Sequence, residues 1–369
     1  LVSGSGTVAV NSGAVQFSND NTYTGTTTIV SGATLLVGNK GAAGAIYQPT
    51  GVGTVTNNGA LIFQRSDGSF ASPLAINTTI SGSGKVTYQS GGVFQANGVN
   101  SYSGGTTIQS DTVLILASNS AAGTGDITVV SSGTLGLTGG ITLANKIIGG
   151  GSGVGGSAGF IHNLSGNNIL AGQVTLTSGA IFSIQAGSTL RVNGTITDGA
   201  SSFGISTIGG GRLELPSANS YDGGTVISQG TVMVGQAGSA GTGGIQISAG
   251  STLELNNATG FNLTNSIQTA GTISAVGGNH TLSGTEVLTG TTTYLNNGTI
   301  LTVSGAISDG AGIFGLVSQG TGTLKLLSAN SYDGNTQVQQ GTVVLANSNS
   351  AGSGLGTILV ASGATLNLS

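Results

Sequence analysis

The side chains that could support catalysis are few, and the densest group is Arg191, Arg212 and Glu214. Positions 191 and 212 are 21 residues apart, about one turn of a repeating coil, so the two guanidinium groups could stack beside the carboxylate. Carboxylates gathered on one face of adjacent coils can act as general acid and base, as in glycoside hydrolysis. Because Arg212 and Glu214 alternate with Leu213 and Leu215, however, the pattern favours a solvated, outward-facing ion pair.

The remaining acids offer little support for an enzyme. Glu254, Glu286, Asp111 and Asp126 each stand alone in the sequence, without a second carboxylate nearby. The Arg212 and Glu214 pattern does not recur either, since Thr323 and Lys325 occupy those positions 111 residues later. We therefore expect no catalytic residues and no enzymatic activity.

Metal and cofactor motifs are equally weak. His162 and His280 are single imidazoles without neighbouring ligands, whereas zinc takes three or four grouped side chains, and we interpret both as loop residues. The Gly-x-Gly-x-x-Gly at 151–156 and the Gly-x-Ser-x-Gly at 155–159 overlap in one glycine run that lacks a strand-to-helix context. We expect chance matches there, with no metal and no cofactor.

The composition excludes several other classes. The 369 residues include 70 Gly, 3 Pro and no Cys, with 7 Lys plus Arg against 11 Asp plus Glu. Too few Pro are present for collagen, and 37% hydrophobic residues are too many for a disordered chain. The net charge of −4 provides no basic field for nucleic acid, and no apolar run reaches the length of a membrane-spanning helix.

A repeated motif is the main signal in the sequence. Its form is Asn-x-Tyr-x-Gly, followed by Thr and then a Gly-Thr-Val or Gly-Ala-Thr-Leu block. Its four copies place equivalent residues at Asn21, Tyr23 and Gly25, at Asn100, Tyr102 and Gly104, at Asn219, Tyr221 and Gly223, and at Asn330, Tyr332 and Gly334. Repetition at long, regular offsets indicates a stacked architecture.

Within the long repeat, short strand blocks recur about every 22 residues. Leu253 and Leu255 flank Glu254 in such a block, and this alternation indicates a strand with one buried face. Glycine-rich turns separate the blocks, and we expect glycine to supply sharp corners, often with positive φ. The sequence therefore predicts an all-β fold, a right-handed parallel β-helix (β-solenoid) with coils of about 22 residues.

We expect residues 1–369 to form a single continuous β-helix. Repeat blocks lie near 21–60, 100–140, 211–255 and 322–369, separated by looser coils. An antiparallel sandwich is the alternative, because Asn-Gly pairs such as 58–59 and 297–298 are hairpin signals. The exact offsets of the repeats favour the solenoid.

The four tyrosines of the motif admit two interpretations. As exposed rings they could stack on sugars, but their identical position in every copy favours packing at a corner of the coil.

These residues resemble a known family. The segment Asn-Ser-Tyr-Asp-Gly-Gly-Thr-Val-Ile-Ser-Gln-Gly-Thr-Val at 219–232 is similar to the autotransporter-associated β-strand repeat, also called the passenger-associated transport repeat. The third copy carries the pattern most fully and the first copy least. The resemblance implies a passenger segment of a secreted bacterial surface protein, extracellular or anchored at the outer membrane, whose folding coil by coil supports export.

The expected function is accordingly that of a non-enzymatic structural stalk for adhesion or display. A subunit of a self-assembling extracellular filament or sheath is the main alternative, and a polysaccharide-binding or -cleaving β-helix is a weaker one. Expected partners are further coils of the same polypeptide or identical copies at open coil ends, and cell-surface glycans or neighbouring cells; nucleic acid and direct membrane insertion are not expected. We also expect the chain to continue beyond both ends or to stack end to end.

Overall fold

The computed structural model describes residues 1–45 and 53–369. They form an all-β parallel solenoid with about 21 residues per turn, which confirms the predicted fold class. The chain divides into two compact units, Leu1–Leu190 and Arg191–Ser369. The block predicted at 21–60 includes residues 46–52, which lie outside the described part, and the single continuous β-helix over 1–369 stays a prediction.

The first unit consists of short strands joined by glycine-rich turns. They are Val8–Val10, Ala14–Phe17, Thr27–Ile29, Thr34–Val37, Thr54–Asn57, Ala60–Gln64, Leu74–Ile76, Thr79–Ser81, Lys85–Gln89, Val93–Ala96, Thr106–Ile108, Val113–Leu116, Ile127–Val129, Thr134–Leu137, Thr142–Leu143, Ile147–Gly151, Ile161–Asn163, Asn167–Leu170 and Val174–Ile184. The strand Thr189–Val192 crosses the boundary between the units.

The second unit is built in the same way. Its strands are Ile196–Thr197, Ile205–Ile208, Arg212–Leu215, Thr225–Ile227, Thr231–Val234, Ile245–Ile247, Thr252–Asn257, Asn262–Leu263, Ile267–Thr269, Thr272–Gly277, His280–Leu282, Glu286–Leu288, Thr292–Asn296, Ile300–Val303, Ile307–Ser308, Leu316–Gln319, Thr323–Leu326, Thr336–Val338, Thr342–Leu345, Ile358–Val360 and Thr365–Leu368. The helical structure in the described residues is a single 3-10 turn, Val154–Gly156.

Strands one coil apart pair in parallel, which excludes the antiparallel sandwich. Thr231–Val234, for example, lies between Arg212–Leu215 and Thr252–Asn257, so that Val232 aligns with Leu213 on one side and Leu253 on the other. All three of these side chains are fully buried. Because alternate residues of a strand point to opposite faces, the residues at these positions form a continuous inward-facing apolar column.

An inward-facing column of the second unit contains both a threonine and a glutamate. In register it runs through Ile205, Thr225, Ile245, Ile267, Glu286 and Ile307. We call this set the Thr225 column. Four of its six members are isoleucine, so the hydroxyl of Thr225 and the carboxyl of Glu286 lie in surroundings that require a hydrogen-bond partner for each.

Candidate functional site

The asparagine of the motif connects three consecutive coils. The Oδ1 of Asn219 accepts a hydrogen bond from the backbone N–H of Ile196 at 2.7 Å, and its Nδ2 donates to the carbonyl of Ser239 at 2.6 Å. The equivalent bonds join Asn21 to Val2 and Ala45, Asn100 to Ile80 and Ala121, and Asn330 to Ile307 and Ser350. Each side chain thus pairs one backbone group of the preceding coil and one of the following coil.

The tyrosine of the motif is buried, not exposed. Tyr221 is inaccessible to solvent, and its hydroxyl lies 2.6 Å from Oγ1 of Thr225. Thr225 in turn donates to the carbonyl of Ala240 at 3.0 Å, which completes a short chain of neutral hydrogen bonds. The same pair forms between Tyr23 and Thr27, Tyr102 and Thr106, and Tyr332 and Thr336. None of the four rings offers an open face on which a sugar could stack.

Burial also fixes the protonation state of these phenols. It raises the pKa of Tyr332 to about 12, and it raises the pKa values of Tyr102 and Tyr221 well above the usual range for tyrosine. The phenols of Tyr102, Tyr221 and Tyr332 are therefore neutral at physiological pH, and their hydrogen bonds to threonine do not depend on pH in that range.

The glycine of the motif is required because backbones approach closely there. A Cβ on Gly223 would overlap the backbone of Phe203 and Gly204 in the preceding coil, and one on Gly334 would overlap Phe314 and Gly315. Gly25 and Gly104 meet Gly6 and Gly84 in the same way. These four glycines are not in the left-handed region of φ, so close backbone approach, and not positive φ, is what requires glycine at these positions.

A second glycine, one coil after the tyrosine, does have positive φ. Gly241 has φ of 71°, and a Cβ there would overlap the carbonyl oxygen of Tyr221. Asn265, in the coil that follows, donates through Nδ2 to the carbonyls of Gly241 and Gly243 at 3.1 and 2.7 Å. The same bonds join Asn145 to Gly123 and Gly125. Sequence reasoning missed both asparagines, although their spacing of 120 residues nearly equals that of Tyr102 and Tyr221.

Arg191, Arg212 and Glu214 do come together, and a fourth residue joins them. Glu214 accepts from Arg191 Nη1 at 3.1 Å and from Arg212 Nε at 2.9 Å. Arg212 extends over Met233 in the next coil to hold both oxygens of Glu254, at 2.9 and 2.6 Å. Glu254 stands alone in the sequence but joins this group in the fold, because stacking brings together residues 42 positions apart.

This chain of ion pairs occupies all four carboxylate oxygens. Asn256 Nδ2 adds a further hydrogen bond to Glu254 at 2.8 Å. The hydrogen bonds from Arg212 hold the pKa of the Glu254 carboxyl below its usual value. Glu254 is consequently held as a salt-bridged anion, and both glutamates form their ion pairs on the outward face of their strands.

The two histidines lie in strands and are buried, so their interpretation as loop residues is wrong. His162 belongs to Ile161–Asn163, with Nε2 3.0 Å from Gln185 Nε2, and its ring packs edge-on against Phe70 at 5.2 Å between centroids. His280 begins His280–Leu282 and contacts the carbonyl of Val276 at 3.1 Å. Burial lowers the pKa of both imidazoles, which favours their neutral form.

Glu286 is the most unusual side chain of the second unit. It is completely buried in the Thr225 column, between Ile267 and Ile307. The hydroxyl of Tyr294 donates to its Oε2 at 2.6 Å, whereas its Oε1 has no hydrogen-bond partner. Burial raises the pKa of this carboxyl to about 7.

The glycine run does not adopt the local structure of either motif that it matches. The glycine run at 151–159 forms the end of a strand and the 3-10 turn, without the helix that a nucleotide-binding or nucleophile-elbow motif needs. Within the described residues, no three His, Cys, Asp or Glu side chains are grouped so as to hold a metal ion. None of the helical segments in that same part has the length and apolar character to cross a membrane.

Two shallow polar grooves lie at equivalent places of the 111-residue repeat. One, of about 450 Å³, is bounded by Ser202, Asp222, Gln246 and Gln268, and the other, of about 290 Å³, includes Asp333. Glycine backbone from the motif lines each groove. The larger groove presents hydroxyl, amide and carboxylate groups that form hydrogen bonds.

The parallel coils and the recurring Asn-Tyr-Gly unit place this chain in the class of solenoid repeat proteins. The passenger-associated-transport-repeat family matches the chain over residues 3–37, 93–110, 208–234 and 316–345. Each matched segment contains one copy of the motif, so the chain carries this repeat, as the resemblance predicted. Neither the curated proteins nor the solved structures include a match to the chain.

The repeat and the solenoid together fit a structural domain of the autotransporter passenger type. The repeat family also implies a secreted or cell-surface protein.

Proposed function

We propose that this chain is a non-enzymatic passenger segment that supports its own export by folding coil by coil and then serves as a stalk for adhesion or display. The observation that carries the proposal is the asparagine bridge, in which Asn219 pairs with Ile196 in the preceding coil and Ser239 in the following one. Both partners are within 23 residues of the asparagine. Such short-range contacts form quickly and do not require distant parts of the chain.

The bridge also gives folding a sequential character. Each new coil satisfies backbone groups and covers apolar side chains that the preceding coil leaves open, as in other solenoids. A segment that emerges from a membrane can therefore gain stability one coil at a time, and each gain opposes its return. The placement of one motif in each of the four matched segments distributes these bridges along the chain.

Export of asparagine variants tests the proposal. The chain, fused to an autotransporter membrane anchor, is expressed in a bacterial host as wild type and with Asn219→Ala and Asn330→Ala combined. Each substitution leaves a buried N–H and C=O unpaired, at about 1–3 kcal/mol per group. We expect slower appearance at the cell surface and easier digestion of the exported chain by external protease.

Asn262→Ala provides the matched control, because Asn262 is exposed on the same unit. It should reach the surface at the wild-type rate. If the double variant is destabilised in purified form but is exported as fast as the control, folding does not support export and the proposal is wrong.

A further inference from the structure

Glu286 is out of place in the core of the second unit. The neighbours of Glu286 in register, Ile267 and Ile307, are isoleucine, and the side chain itself is inaccessible to solvent. A carboxylate in such a place loses its hydration, and an unpaired buried charge is among the most destabilising groups a core can contain. A neutral carboxyl group fits far better.

The polar contacts around Glu286 also favour a neutral carboxyl group. Tyr294 is the one titratable side chain that the described residues place against the carboxyl, and its O–H donates to Oε2. The strands stacked on either side contribute isoleucine at this position. Tyr332 raises the pKa of the Tyr294 phenol but does not affect the pKa of Glu286 directly. No arginine, lysine or histidine in the described part pairs with Glu286, and its Oε1 has no hydrogen-bond partner. One donor is too little to stabilise an anion there.

We infer that Glu286 and Tyr294 form a protonation-controlled latch, in which the coil of Glu286 closes fully while the carboxyl is neutral and loosens when it ionises. This inference is independent of the proposed role in export. The second unit would be most tightly closed in mildly acidic surroundings and weakest around Glu286 at alkaline pH.

The direction of the effect follows from proton linkage. Because the pKa of Glu286 is raised on folding, the native chain retains a proton that the unfolded chain releases between about pH 4.5 and pH 7. The stability that the protonated Glu286 contributes is fully present below this pH range, falls as pH rises through it and does not change further above it. One linked proton changes the unfolding equilibrium by up to about tenfold per pH unit, which amounts to on the order of a hundredfold in all.

Hydrogen exchange on the purified 369-residue chain tests the latch. Exchange is measured from pH 5 to pH 8, corrected for the intrinsic rate, on peptides that cover 286–296 and on peptides from the motif strand at 231–234. We expect protection of 286–296 to fall on the order of a hundredfold across this range in the wild type, relative to 231–234. In Glu286→Gln and Glu286→Ile the protection should not change with pH, and Glu286→Ile keeps the test open if the glutamine variant fails to fold.

Glu254→Gln is the control, since Glu254 faces outward and is held by Arg212. It should retain the wild-type dependence at 286–296. Infrared spectra at pH 6 should contain the carbonyl band of a protonated carboxyl that is absent from Glu286→Gln. If both Glu286 variants retain the pH dependence, or if that band is missing from the wild type, Glu286 is not the latch.

Discussion

Thr225 and Glu286 occupy the same inward-facing column, and each hydrogen-bonds a tyrosine, yet their situations differ. The Thr225 hydroxyl accepts a hydrogen bond from the Tyr221 hydroxyl and donates one to the carbonyl of Ala240. Glu286 receives one hydrogen bond from Tyr294 and leaves Oε1 unpaired. A core position between isoleucines therefore accommodates a hydroxyl with two partners, whereas a carboxyl with one partner is accommodated there far better when it is protonated than when it is ionised.

The difference between Thr225 and Glu286 corresponds to the presence or absence of the repeated motif in their coils. Thr225 belongs to a motif present in four copies, and every copy supplies the same tyrosine. Glu286 lies in a looser coil between the third and fourth copies, and the residue 111 positions before it is Thr175, not an acid. Repetition is thus associated with fully paired neutral groups, and the pH-dependent group is found where the motif is absent.

The largest expected effect comes from placing a second acid in the column. Ile245 lies next to Thr225 in register and is 2% exposed. Ile245→Glu should lower the free energy of unfolding at pH 8 by several kcal/mol, because the carboxyl has no tyrosine in place to donate to it. Urea denaturation followed by circular dichroism should show a smaller loss at pH 5, where the carboxyl is neutral.

Gln246→Glu is the matched control, because the neighbouring residue points outward and is exposed. It should change stability by no more than about 0.5 kcal/mol at either pH. Equal losses for Ile245→Glu and Gln246→Glu would mean that the orientation of the side chain does not decide the cost.

The two tyrosines allow an intermediate test. Tyr294→Phe removes the donor to Glu286 and should cost about 1–3 kcal/mol, since a buried carboxyl loses its partner. Because the hydrogen bond from Tyr294 lowers the pKa of Glu286, its removal should also move the pH-dependent loss of stability to higher pH. Both effects are measured by urea denaturation between pH 5 and pH 9.

Tyr221→Phe serves as the comparison. Thr225 retains its hydrogen bond to Ala240, so we expect a loss of about 0.5–1.5 kcal/mol that does not vary with pH. A pH-dependent loss in Tyr221→Phe, or none in Tyr294→Phe, would contradict the distinction between the two pairs.

Much of this arrangement was predictable from the sequence. The alternation of Leu253 and Leu255 around Glu254, with the regular spacing of the tyrosines, was enough to predict parallel coils and the outward direction of Glu254. The partner of Glu254 was not predictable in this way, because Arg212 reaches it by passing over the intervening coil.

The inward position of Glu286 could have been predicted by aligning its coil with the next one. The segment Ser283-Gly284-Thr285-Glu286 aligns with Ser304-Gly305-Ala306-Ile307, 21 residues later, and this alignment places Glu286 at an inward isoleucine position. The motif glycines were harder to interpret. The composition shows an excess of glycine but does not show what each glycine does. The structure shows that Gly223 permits the close approach of two backbones, whereas Gly241 does so and also has positive φ.

The smallest expected effect concerns the outward glutamate, whose pH dependence should have the opposite sign to that of Glu286. The hydrogen bonds from Arg212 lower the pKa of Glu254, so their contribution is present above about pH 4.5 and is lost as pH falls further. Arg212→Gln should therefore cost about 1 kcal/mol at pH 7 and flatten the decline of stability on the acid side, measured by urea denaturation from pH 3 to pH 7. Lys325→Gln removes the same charge from the position that corresponds to Glu214 in the fourth copy, and it should leave the acid side unchanged. If both variants flatten it equally, net charge and not the Arg212–Glu254 pair controls stability in acid.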